Sequence, residues 1–298
     1  LCARTPQPKT RAMVVTLLLV RHGDRFDYGA GKQAWKERCK RQQLEPSDPP
    51  LSGLGHAQAR EVAAFLTPLG PTRLLVSPYL RALQTAQPLA HLTSLPLCVD
   101  FALAEAHQKP AVVPPLASRA AFLPEISESY APMLPTVVTH GTDGKEPGVE
   151  PRLEHLRRML FLARELSSPA FEGETIVCVS HAATLALVAA LTESATLAAV
   201  GKLAPCGVCK LVREGGVWRV VQEGHDNSAY VTSNAETTFP WGFVDSSCAI
   251  DETEATWQEA LRLGPTNVAD LSAESPMIGA QGQAAATGGG GEGFYDPN

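Results

Sequence analysis

Apolar positions along this chain follow two rhythms. A continuous β-branched and aliphatic run fills residues 14–20, the pattern of a strand buried on both faces, as in a parallel sheet. Shorter runs of the same kind at 73–76, 97–100 and 175–180 predict three more buried strands. Between them the spacing turns helical. Ser52 predicts the N-cap of a helix whose stripe is Leu54, Ala57, Val62, Phe65 and Leu66, closed by Pro68 and Gly70. Ser77 and Pro78 predict the N-cap and first turn of a second helix over 79–86, and Leu153, Leu156, Leu160, Ala163 and Leu166 mark a third. Residues 182–191 are apolar enough for a buried helix, and apolar stretches at 208–213 and 217–221 around Gly215 and Gly216 predict a hairpin. Strands alternating with helices predict an α/β fold: a mostly parallel central sheet of about six strands with helices on both faces.

Elsewhere the pattern is weaker. Residues 26–50 are polar, with a basic cluster at 36–41, and predict a surface excursion. Residues 109–148 are Pro-rich and aperiodic, which predicts a long loop or lid. After Phe243 the pattern fades: 251–263 read as one helix, and 264 onward, rich in Gly, Ala, Ser and Pro, as a disordered tail. The expected organisation is an N-terminal tail over 1–13, one large domain over 14–245 and a C-terminal tail over 246–298, largely disordered after 264.

Composition narrows the function classes. With 298 residues, 44% apolar and 19% charged, the chain is long enough for one sizeable core. A net charge of −6 argues against a nucleic-acid partner, which usually demands a basic face. No apolar run is long enough to span a bilayer. Seven cysteines, an odd number in a chain this large, read as reduced thiols in a cytoplasmic protein. Cys206 and Cys209 have the spacing of half a zinc site, but no second pair follows, and burial is the reading taken. Residue 1 is Leu, which is compatible with a fragment or processed product.

Candidate chemistry sits at strand ends. His22 and His181 each follow a predicted buried strand, Arg21 adjoins His22, and Arg81 lies at a helix start. In open α/β sheets the carboxyl ends of strands carry the ligand site. Guanidinium forks suit phosphoryl oxygens, and a neutral imidazole nitrogen can attack phosphorus. The cluster Arg21-His22-Gly23-Asp24-Arg25 directly after an apolar run has no packing rationale; a phosphate pocket explains both arginines and the close backbone approach that Gly23 permits. His181 takes its weight from this first motif. The other six histidines, His56, His91, His107, His140, His155 and His225, read as ordinary core or surface residues.

These motifs resemble the histidine phosphatase superfamily, in its phosphoglycerate-mutase-like branch. The residues that carry the resemblance are Val20 to Gly23, the Ser52, Gly53, Gly55 and His56 set, the Ser77, Pro78, Arg81 and Thr85 set, Glu105, and Ser180 with His181. Arg25, Gly31, Lys32 and Trp35 are similar to the phosphatase domain of the suppressor-of-T-cell-receptor-signalling and ecdysteroid-phosphate phosphatase group, with Asp24 where that group commonly has Glu. The resemblance implies a catalytic domain over 14–245 that forms a phosphohistidine on His22. Arg21, Arg81 and His181 would hold the phosphoryl oxygens, with Gly23 in the binding turn and Arg25 as a further cationic wall. Glu105 would protonate the leaving oxygen. It implies no metal ion or cofactor, and a phosphorylated small molecule or phosphoprotein as partner; a homodimer stays open.

Several readings remain open from the residues alone. The substrate could be a phosphotyrosine protein or another bulky or aromatic phosphate ester, with Phe26, Tyr28, Trp35 and Tyr79 as walls or as core. A mutase-like phosphotransferase, a sugar-phosphate phosphatase and a catalytically weak phosphate-binding interaction module are the alternatives. Glu125 and Glu128 compete with Glu105 for the acid role, and a salt bridge to Asp24 or Asp27 competes for Arg25. A cysteine-based phosphatase is excluded because no cysteine has Arg six positions on, and a P-loop kinase because its motif is absent.

Overall fold

The computed structural model describes residues 14–106, 119–120, 123–137, 150–234, 239–245 and 250–267. Much of the expected lid, residues 1–13, residues 268–298, His107 and His140 lie outside the described residues. In chain order the elements are β1 (Val15–Arg21), α1 (Gly31–Gln42), α2 (Gly53–Leu66), β2 (Arg73–Val76), α3 (Leu80–Thr93) and β3 (Leu97–Val99). Then follow α4 (Arg152–Leu166), β4 (Thr175–Ser180), α5 (Leu185–Leu191), β5 (Val208–Glu214), β6 (Val217–Gln222) and α6 (Ile250–Leu263).

The strands form one six-stranded sheet in the order β3-β2-β4-β1-β5-β6. The first four are mutually parallel, and β5 and β6 add an antiparallel hairpin at one edge. The fold is thus the α/β architecture that the sequence predicts. Its central strand shows why the run at 14–20 had to be apolar throughout. Val15, Leu17 and Leu19 pack with Leu156 and Leu162 of α4, Leu187 of α5 and Trp257 of α6, while Leu18 and Val20 face Val62 of α2 and Leu83 of α3. Successive side chains point to opposite faces, so a strand covered on both sides needs no polar position.

Three local expectations change. The polar stretch at 26–50 contains α1, whose buried side chains are only Trp35 and Cys39, one turn apart; so thin a stripe gives little periodic signal. Ser77 does not cap α3, which starts at Leu80 and runs through Pro88 to Thr93. The Leu80 amide instead donates to Asp48 Oδ1 at 2.8 Å. The helix at 250–263, set in the C-terminal tail by the sequence reading, packs on α4 with Trp257 fully buried, and the indole donates to the Ser194 carbonyl at 3.1 Å.

Candidate active site

The four parallel strands end at one rim, and each delivers a polar group there. Arg21 pairs in register with Ser180, so His22 and His181 leave β1 and β4 side by side. Their rings lie 5.3 Å apart, near edge-on, and the His22 amide donates to the Ser180 carbonyl at 2.8 Å. β2 leads to Ser77 and then Arg81; β3 leads through Asp100 to Glu105. Asp100 caps the turn after β3 by accepting from the Ala102 amide at 2.9 Å, and also accepts from the Tyr130 hydroxyl at 2.7 Å. The turn after β1 is clamped by α2: Ser52 Oγ donates to Asp24 Oδ2 at 2.6 Å, and the Asp24 amide donates to Gln58 Oε1 at 2.8 Å. Gly23 permits a close approach here. A Cβ on it would stand 2.8 Å from the Gly55 carbonyl oxygen and 3.3 Å from Cys206 Sγ, so the backbone it meets is α2's.

Hydrogen bonds fix both imidazoles. His22 Nδ1 is 2.8 Å from the Gly23 carbonyl oxygen. A carbonyl only accepts, so Nδ1 carries the proton and the Nε2 lone pair is free. His181 places Nε2 at 2.8 Å from Ser77 Oγ and Nδ1 at 3.2 Å from Glu105 Oε2. A carboxylate opposite Nδ1 puts the proton there, which leaves Nε2 to accept from the serine hydroxyl. Glu105 Oε2 also receives Arg81 Nη2 at 3.3 Å. Arg21 Nη1 donates to the Leu203 and Phe239 carbonyls at 3.0 and 3.2 Å. Among the described residues Arg21 Nε and Arg81 Nε are buried without a hydrogen-bond partner. Buried donors left in that condition are costly unless an anion completes them.

The field is strongly cationic. Burial, then the charges of Arg81, His181, Arg21 and Arg25, hold His22 well below its ordinary pKa. Burial lowers His181 to about 4 against the opposing pull of Glu105. Burial alone would raise Glu105, but His181, Arg81 and His22 outweigh it and keep the carboxyl well below the usual range. His22, Glu105 and His181 bring one ligand atom each within 4.8 Å of one another, the one such group among the described residues. A metal would sit beside Arg21 and Arg81 and compete with bonds that already orient both imidazoles, so the donor set suits an oxyanion better than a cation.

The sequence-predicted residues are therefore brought together: Arg21, His22, Arg81, Glu105 and His181 share one pocket. Arg25 makes a bidentate bond to Asp27 at 2.8 and 2.7 Å and lies 4.8 Å above the Tyr28 ring. Trp35 and Tyr79 take the core alternative. The Trp35 indole donates to the Pro46 carbonyl at 2.9 Å, and Tyr79 buttresses His181 edge-on at 5.3 Å while lying under Arg81. Glu125 is engaged by His91 and Gln87 of α3, and Glu128 is exposed; neither belongs to the cluster. Cys206 and Cys209 are buried thiols, Cys209 pushed up to about 12 by burial. Sequence reasoning missed Ser77 as a partner of His181. It also missed a buried group formed by Glu150, His155 and Arg158 behind Glu105, where only Glu-x4-His-x2-Arg spacing could have served as a signal.

Buried neutral histidines carry a consequence for stability. Burial lowers His155 to about 4 as well, ahead of the Arg158 charge. In the unfolded chain His22, His155 and His181 titrate near 6.5, so below that pH the unfolded state binds protons that the folded state refuses. Stability is expected to fall steadily from about pH 6.5 towards 4, by up to roughly 1.4 kcal/mol per pH unit for each histidine. Thermal melts between pH 7.5 and 4.5 check this; a flat Tm across pH 6.5 to 5 would contradict it.

The model of the histidine phosphatase superfamily (branch 1) matches residues 17–225. No curated protein matches the chain. Among solved structures, the ecdysone phosphate phosphatase of Bombix mori in complex with tungstate is 21% identical, over 70% of this chain and 92% of that one, with a TM-score of 0.52; that likeness speaks to the fold. A mycobacterial glucosyl-3-phosphoglycerate phosphatase is 25% identical over 71% of this chain and 99% of that one, with a TM-score of 0.48. The phosphoserine phosphatase of Entamoeba histolytica in complex with 3-phosphoglyceric acid is 21% identical over 72% and 98%, with a TM-score of 0.47.

Proposed function

The chain belongs to branch 1 of the histidine phosphatase superfamily, and from that premise we propose that it hydrolyses phosphate monoesters through a phosphohistidine on His22. The observation that carries this reading is the state of the pocket: a neutral His22 with Nδ1 tied to the Gly23 carbonyl, beside the buried Nε donors of Arg21 and Arg81, which lack partners among the described residues.

In the first step the His22 Nε2 lone pair attacks phosphorus as the ester P–O bond breaks, and Glu105 gives its proton to the leaving oxygen. The imidazole becomes cationic, and the Gly23 carbonyl stabilises it through the Nδ1 proton. Arg21, Arg81 and His181 hold the phosphoryl oxygens where negative charge concentrates. In the second step water attacks phosphorus, gives its proton to Glu105, and the P–N bond breaks to release inorganic phosphate and neutral His22. Glu105 is ionised before substrate arrives. A phosphate dianion beside it raises its proton affinity, so the proton enters with a monoanionic substrate or from solvent.

An aromatic or bulky apolar leaving group, including phosphotyrosine, is the substrate class we favour. Tyr28 keeps exposed surface beside Arg25, and Phe26 is likewise only half-buried. The described cysteines are all free thiols, which fits a reducing compartment such as the cytosol. The reading is tested by assaying an aryl phosphate in the presence of glycerol. Stoichiometric inorganic phosphate is expected with little glycerol phosphate. Predominant transfer to glycerol would favour the mutase-like phosphotransferase instead.

A further inference from the structure

Behind Glu105 lies a buried ion pair that the hydrolytic mechanism does not use. Arg158 of α4 and Glu150 each have side chains only 2% exposed and meet in a bidentate pair: Nε to Oε1 and Nη2 to Oε2, both 2.7 Å. The guanidinium also reaches the backbone that carries Glu105. Nη1 donates to the Ala102 and Ala104 carbonyls at 2.8 and 2.9 Å, and Nη2 to the Glu105 carbonyl at 3.3 Å. The carbonyl between them, Leu103, accepts from Ser180 Oγ at 2.7 Å. Four consecutive carbonyls, 102 to 105, are thus each held by a buried side chain, and one of those side chains directly precedes His181.

His155 joins this group to the other side of the site. Its Nδ1 accepts from Arg158 Nη2 at 2.9 Å, and its Nε2 faces the Ala183 carbonyl at 3.4 Å, in the turn after His181. A neutral imidazole protonated at Nε2 satisfies both contacts. The group therefore bridges the turn bearing Glu105 and the turn bearing His181, whose side chains meet at 3.2 Å.

We propose that Arg158, held by Glu150 and His155, is the positioning residue that fixes Glu105 for proton transfer to the leaving oxygen. Stability alone does not account for it. A buried ion pair is often matched by apolar residues of similar volume, and α4 already packs an apolar face against the sheet and α6. What an apolar residue cannot supply is directional donation to three carbonyls of one short turn. Arg81 and His181 meet only Oε2 of the Glu105 carboxylate, and the side chain, 28% exposed, leaves the chain after the short 3-10 turn Phe101–Leu103, so its direction depends on how that turn is held. Its Oε1 accepts only from the Ala106 amide, at 3.1 Å, among the described residues. A small displacement of a general acid from its hydrogen-bonding distance costs rate steeply.

This inference rests on the reading of Glu105 as the acid, and the experiment separates the two. Arg158→Lys and Glu150→Gln, alongside Glu105→Gln, are compared with wild type on an alkyl phosphate and on 2,4-dinitrophenyl phosphate, whose leaving group needs no proton. Arg158→Lys and Glu150→Gln are expected to lower kcat about 10- to 100-fold on the alkyl ester and less than about threefold on the activated ester, with KM within about twofold. Combining Arg158→Lys with Glu105→Gln is expected to add almost nothing to the loss caused by Glu105→Gln alone. Equal losses on both substrates, or full additivity in the double variant, would overturn the positioning role and leave a merely structural pair. If Glu105→Gln itself shows no leaving-group selectivity, it is the acid assignment that falls. Should Arg158→Lys not fold, Glu150→Gln, which keeps the shape and one acceptor, decides the matter on the same criteria.

Discussion

Replacing His22 with alanine is expected to lower kcat/KM for an aryl phosphate by about 10^4-fold or more, with the protein folded and still able to bind inorganic phosphate. No neighbour can take over the attack. His181 is the nearest imidazole, but its Nε2 is engaged by Ser77 and its Nδ1 carries the proton that faces Glu105. The residual rate would come from water attacking a phosphoryl group still held by Arg21 and Arg81. Removal of a buried imidazole that cannot ionise also relieves part of the acid sensitivity, so a folding defect is not the expected cause of the loss. Circular dichroism and a phosphate-induced rise in Tm serve as the controls. Equal, background-level rates in wild type and variant would instead favour a phosphate-binding interaction module.

Glu105→Gln is the second large effect. A positioned general acid contributes about 10^2- to 10^4-fold, and its weight grows with the basicity of the leaving oxygen. The variant is therefore expected to lose about 10^2- to 10^3-fold in kcat on an alkyl phosphate and only a few-fold on a dinitrophenyl ester. The pH profile follows from the same carboxyl. Because His181, Arg81 and His22 keep Glu105 ionised in the free site, the required proton is most available on a monoanionic substrate. For poor leaving groups kcat/KM should then decline above the second phosphate pKa near 6. Wild-type turnover of an alkyl phosphate, measured from pH 5 to 9, checks the sign; a rate rising through pH 7 to 8 would remove Glu105 from the acid role.

Much of this site was legible in the sequence, for a physical reason. Strands buried on both faces leave long apolar runs, and a charged or imidazole residue directly after such a run lies at a strand end, where parallel sheets collect their ligands. That argument places His22, and His181 follows once the first motif gives its strand-end position weight. Arg81 needed a helix start, and the helix was found, although Ser77, expected as its cap, binds His181 instead. Glu105 was harder to see, since it follows the shortest parallel strand and a 3-10 turn, neither of which gives a strong period. The Arg158 group was not legible at all. Arg158 interrupts the stripe of α4 at Leu156 and Leu160, and on a helix surface an arginine there reads as solvated; only tertiary structure shows it turned inward to three carbonyls. His155, read as an ordinary residue, is buried as a core histidine would be, but with a specific partner on each ring nitrogen.

The central claim is covalent transfer through His22, and trapping tests it most directly. Wild-type protein mixed with a 32P-labelled aryl phosphate is quenched in alkali within the first turnovers, a condition under which phosphohistidine survives and acyl phosphates hydrolyse. Digestion should place the label on the peptide bearing His22, and His22→Ala should take up none. Full turnover with no protein-bound label in wild type, or label retained on another residue in His22→Ala, would contradict the account.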